Sequence, residues 1–158
     1  MVLMMLSCES KSQEKMAFGV RNEKVSELKN FLKNTGYNQD LAIFIDFKIP
    51  SNRFRFFVYD LKNDRILEKG LVSHGSGSEV PNSKELKFSN VEGSYQSSLG
   101  KYAVLNKYVG SFGTSYRLKG LDKSNSNAYK RAIVMHYYYC IGDEETDSAS
   151  CLSLGCPM

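Results

Sequence analysis

One histidine and one cysteine carry the clearest chemical potential in this sequence: His136 in "AIVMHYYYCI" and Cys156 in "SCLSLGCPM". Sixteen residues lie between His136 and Ser153, and Gly155 and Cys156 follow after one more residue, Leu154. An imidazole within hydrogen-bond reach of a thiol takes its proton and leaves a thiolate–imidazolium pair, a strong nucleophile. The stretch between them is long enough to return Cys156 to the side of a histidine held on a strand. Gly155 clears the approach of a substrate carbonyl and lets the backbone amides near Cys156 converge on one point, as an oxyanion hole requires. Ser153 offers a hydroxyl that either donates to substrate or braces the turn. A histidine closing an apolar strand is by itself more often structural, and it is the spacing to Ser153 and Cys156 that turns the reading to catalysis.

The elements that must position these groups are mostly strands. Val25, Leu28, Phe31 and Leu32 fall on one helical face, which predicts an amphipathic helix over 23–35, capped by Asn22 and ended by Gly36. In "LAIFIDFKIP" the apolar residues Ile43, Ile45, Phe47 and Ile49 alternate with their neighbours, a strand that Pro50 stops. Two more strands flank Asn63-Asp64 in "RFRFFVYDLKNDRILEKGLVSHG". Residues 73–100 read as a long Gly-, Ser- and Asn-rich loop, a length that in a small domain points to function or disorder. "KYAVL" and "GTSYRLKGL" predict strands, "SNSNAYKRA" a short helix with its cap at Asn125 or Ser126, and "AIVMHYYYCI" a buried strand carrying His136. The "YYYC" stretch is expected in the core and the wall of a groove. His74, in "SHGSG", either lines that groove or caps a strand.

Nineteen Phe and Tyr residues, no Trp and three prolines in 158 residues favour a β-rich single domain. The net charge of +4 is mild, and no basic stripe interleaved with aromatics is present, so nucleic acid is not expected as a partner. The N-terminus "MVLMMLSCES" is an apolar stub ending in Leu-Ser-Cys, followed by a polar tether. That pattern is similar to the end of a bacterial lipoprotein signal, with Cys8 as the lipidated residue, and it divides the chain at about residue 21. The stub is short and has no basic start, which a start site further upstream would explain. The other reading is a floppy, Met-rich terminus.

Four cysteines are present and no pair has Cys-x-x-Cys spacing, so neither a zinc site nor another metal or cofactor is expected. With Cys8 lipidated, Cys140, Cys151 and Cys156 are an odd set, and one thiol is left over. Cys140 fits the pattern of an inert, buried small hydrophobe. Cys151 either traps Cys156 as a disulfide or pairs with Cys140.

The pattern His136-x16-Ser153-x-Gly155-Cys156, joined to "VSHGSGS", "FSNVEGSYQSSLGKY", "YVGSFGTSYRLKGLD" and "NSNAYKRAIVMH", resembles the murein L,D-transpeptidase catalytic domain family, YkuD-like, in its Gly-Cys-Pro branch. The likeness spans about residues 41–158. It implies a mainly β, sandwich-like fold with a short N-terminal helix and one small internal helix, residues 22–158 being the catalytic domain. It implies an acyl-enzyme on Cys156, His136 as base and proton donor, and Ser153 and Gly155 in the oxyanion turn. His74 and Tyr137 are assigned to substrate binding, with the Tyr137 carbonyl orienting His136. The substrate is then a peptidoglycan stem peptide in the periplasm or at the outer surface. An amine acceptor gives an L,D-transpeptidase, and water gives an L,D-carboxypeptidase. Two departures favour an alternative, an inactive envelope lipoprotein that binds wall peptides or another envelope protein. Leu154 stands where such enzymes often carry a basic residue, and family members continue after the cysteine with a further strand, so the end at Met158 is consistent with truncation.

Overall fold

Residues 20–147 and the backbone of Ser153–Leu154 are described by a computed structural model. Cys8, Cys151, Gly155 and Cys156 lie outside the described residues. The fold is mainly β: two three-stranded antiparallel sheets, a two-stranded parallel pair, and one α-helix, consistent with a small β-sandwich.

Helix α1 spans Asn22–Leu32 and presents Val25, Leu28, Phe31 and Leu32 to the first sheet. Its N-cap is Arg21 rather than the predicted Asn22, and no side chain caps it. The helix also stops before Gly36, with Lys33 at its C-cap. The first sheet is β1 (Leu41–Ile45), β2 (Phe56–Asp60) and β3 (Arg65–Gly70), in that order. Phe57, Tyr59 and Leu61 are buried against the helix, and Phe44 meets Tyr59 edge-on with ring centroids 5.6 Å apart. The first predicted strand is cut short at Ile45 because Asp46 turns the chain: its Oδ1 accepts from Lys48 N and its carbonyl from Ile49 N. The β2–β3 hairpin falls where predicted. Asp60 accepts there from the amides of Lys62 and Asn63, and Asp64 takes a positive φ of 49°.

The 73–100 stretch is largely without strands, as expected, but it is bound down. It contains the short strand β4 (His74–Gly75), a 3-10 turn at Ser76–Ser78 and a bridge between Glu79 and Leu86. Its order comes from buried hydroxyls. Gly75 N donates to Ser97 Oγ and Ser97 N to Ser78 Oγ, at 3.0 and 2.9 Å. The buried Arg131 donates to Ser98 Oγ (2.6 Å) and to the carbonyls of Ser89 and Gln96. A Cβ on Gly75 would overlap the Tyr95 carbonyl oxygen, so only glycine permits this approach.

The second sheet is β5 (Tyr102–Gly110), β6 (Gly113–Gly120) and β7 (Val134–His136). Strand β5 runs five residues beyond the predicted "KYAVL", carried by pairing with β6 through to Gly110–Gly113. One face of this sheet packs Leu118, Ile133 and Ala128 with Tyr102 and Met135. Leu118 and Ile133 are almost wholly buried, worth roughly 1.5–3 kcal/mol each. The helix predicted for "SNSNAYKRA" is a 3-10 turn at Lys123–Asn125 followed by further turns. Asp122 and Asn125 exchange side-chain and backbone hydrogen bonds, and Asn125 Nδ2 donates to Lys101 O, satisfying a single turn instead of a helix.

The long buried strand predicted at "AIVMHYYYCI" is also corrected. Pairing ends at His136, a turn follows in which Ile141 N donates to Tyr138 O, and Tyr137 and Tyr139 are exposed rather than in the core. Nor is Cys140 an inert core thiol: it is disulfide-bonded. The remaining strand, β8 (Ser153–Leu154), pairs parallel with β4, His74 opposite Ser153 and Gly75 opposite Leu154.

Candidate active site

His136 closes β7, where it sits opposite Ser115 of β6, and Ser115 in turn sits opposite Tyr108 of β5. Paired residues of neighbouring strands point to the same face, so these three side chains form a row. Ser115 is small and buried, which leaves the face above it to larger neighbours. At the β5–β6 turn Gly113 takes a φ of 79°, and the adjoining Phe112 stacks on the imidazole, centroids 4.5 Å apart and planes 15° from parallel. Tyr138 meets both rings edge-on.

His136 Nδ1 lies 2.8 Å from the Tyr137 carbonyl oxygen. A carbonyl only accepts, so Nδ1 carries the proton and the neutral ring keeps its lone pair on Nε2. The ring is thus gripped at one nitrogen and across one face, with the other nitrogen in the form that accepts a proton.

His74 is placed differently. It is 5% exposed, on β4 beside the returning Ser153. Its Nδ1 lies 3.2 Å from Nη2 of Arg55, which is 1% exposed and donates twice more to Val72 O. A guanidinium only donates, so His74 Nδ1 accepts and Nε2 bears the hydrogen. Nε2 faces Glu79 Oε1 at 3.5 Å, too long for a good hydrogen bond. Burial, and then the Arg55 charge, hold the His74 pKa below the usual histidine value against the opposing pull of Glu79. Burial brings Arg55 down to about 10, still cationic near neutral pH.

Of the residues singled out in the sequence, the structure joins His136 to Tyr137 by a hydrogen bond and His74 to Ser153 by strand pairing. Sequence reasoning missed Phe112, Arg117, Arg55 and Arg131. The alternation of "GTSYRLKGL" puts Arg117 on the Ser115 face, a signal that was there to read; the pairing of Arg55 with His74 has no local signature. Among the described residues no group of three or more His, Cys, Asp or Glu could hold a metal, and no helix is long and apolar enough to cross a membrane.

The described residues thus form a mainly β domain with an oriented histidine at a strand end and a short strand, Ser153–Leu154, running along the His74 segment. The family is definite: the L,D-transpeptidase catalytic domain matches residues 12–158, and the chain belongs to that family of peptidoglycan enzymes of the cell wall. No curated protein and no solved structure matches the chain.

Proposed function

We propose that the protein is a cysteine-dependent peptidoglycan L,D-transpeptidase or L,D-carboxypeptidase of the cell envelope. His136 Nε2 takes the Cys156 proton. The thiolate attacks the carbonyl that precedes the terminal D-alanine of a tetrapeptide stem, and the oxyanion is held by amides of the turn that includes Gly155, with Ser153 bracing it. The imidazolium returns its proton to the departing D-alanine amine as the carbon–nitrogen bond breaks, leaving a thioester. A second stem's amine, or water, then takes the acyl group and frees the thiol. Tyr137 acts through its carbonyl, and His74 through the strand it forms with Ser153. The observation that carries this reading is the 2.8 Å contact of His136 Nδ1 with Tyr137 O, which fixes the tautomer a base requires.

Cys8 is proposed as the lipidated anchor. With Cys8 lipidated and Cys156 free, Cys151 is the remaining partner for the disulfide of Cys140. The test is turnover of a synthetic stem tetrapeptide, followed by release of D-alanine and the mass of the products. Cys156→Ala is expected to abolish release and His136→Asn to cut it by about 10³-fold or more. Release unchanged in Cys156→Ala contradicts the mechanism.

A further inference from the structure

Strand β6 places two cations on the His136 face that the mechanism above leaves unused, Arg117 and Lys119, and Arg117 is the nearer of them to the histidine in the register. Arg117 of β6 pairs with Val134 of β7, two positions along from the Ser115–His136 pair. Residues two apart on a strand share a face, so Arg117 lies diagonal to His136, at a Cβ separation on the order of 7–8 Å. Its guanidinium lies over the Tyr108 ring at 4.9 Å from the centroid and beside the Tyr129 ring at 5.8 Å. It is exposed, and among the described residues it makes no ion pair. The opposite face, with Leu118, Ile133 and Met135, is core, so packing does not explain a cation here.

We propose that Arg117 is the carboxylate-binding residue of the substrate cleft, and that it fixes a free carboxylate of the stem peptide beside His136. The inference rests on the function proposed above. Guanidinium matches carboxylate through two parallel N–H donors, and flanking aromatic rings hold the fork in place without neutralising it. A peptide bound through such a clamp has its scissile carbonyl presented at a set distance from the clamp, which a carbonyl attacked at one point requires.

Two readouts on the full chain test it. Calorimetric titration gives the affinity for a stem tetrapeptide, for the same peptide with a C-terminal carboxamide, and for one amidated at its internal carboxylates. D-alanine release from the free peptide reports separately on the catalytic reading. Arg117→Ala and Arg117→Gln are expected to weaken binding of the free peptide at least about tenfold, and Arg117→Lys less. Amidation at the recognised carboxylate should weaken binding to the wild type by a similar factor and add nothing in Arg117→Ala; the peptide showing this names the carboxylate. Equal affinity of wild type and Arg117→Ala, additive losses, or no binding by the wild type overturns the inference. Binding that depends on Arg117 without any D-alanine release fails the catalytic reading and leaves the clamp standing. Release that is indifferent to Arg117 and to amidation does the reverse.

Discussion

At the scale of single residues, two histidines in one small domain are set to opposite tasks by what touches Nδ1. A carbonyl on His136 Nδ1 leaves a lone pair on Nε2, whereas a guanidinium on His74 Nδ1 leaves a hydrogen there. His74 is buried and is kept neutral by desolvation and by Arg55, with Glu79 the only described carboxylate facing it. Its folded pKa lies below the unfolded value of about 6.5, so the unfolded chain binds the extra proton first. The stability His74 contributes is therefore fully present above about pH 6.5 and is lost as pH falls through the depressed value. Urea midpoints at pH 8 and pH 5.5 should show a clear drop for the wild type and a smaller one for His74→Gln, whose amide oxygen still accepts from Arg55. Equal drops would show that this histidine is not the group responsible.

At the scale of elements, the site depends on a loop that has no regular structure to hold it. Residues 73–100 are ordered by buried serines and by Arg131, whose guanidinium reaches Ser89, Ser94, Gln96 and Ser98. Strand β4 lies inside this loop and is the partner of Ser153, so Arg131 indirectly sets where β8 docks. Replacing Arg131 by Met strands several buried acceptors and should cost about 3 kcal/mol, read from the urea midpoint at unchanged slope. A loss under about 1 kcal/mol would mean that the serines order the loop without it.

At the scale of the whole molecule, the β class, the N-terminal helix, the central hairpin and the family were legible in the sequence. Period-two alternation and a turn at Asn63-Asp64 are local signals, and the strands they predict are present. The failures have two causes. "SNSNAYKRA" has helix-forming residues, but Asp122 and Asn125 satisfy the backbone in a single turn. "AIVMHYYYCI" reads as one apolar run, yet its neighbour β6 pairs only as far as His136, and the tyrosines beyond turn outward. Likewise "KYAVL" extends because β6 offers partners along its length. For the two strands a partner distant in sequence overrode local preference, whereas the Asp122–Asn125 turn is itself local side-chain competition with a helix. The candidate site was half legible: His136 and its carbonyl partner were named from the sequence, whereas Phe112 and Arg117 came into view only once strand register set them around the imidazole.

The account stands on Cys156 being held as a thiolate by His136. The most direct measurement is the rate of alkylation of the unreduced protein as a function of pH, with the modified cysteine located by peptide mass mapping. The account predicts modification at Cys156 alone, a disulfide linking Cys140 to Cys151, and an inflection well below the roughly 8.5 of a free cysteine that moves upward in His136→Asn. Modification at Cys156 with an ordinary thiol profile that His136→Asn leaves unchanged, or a disulfide joining Cys140 to Cys156, would contradict it.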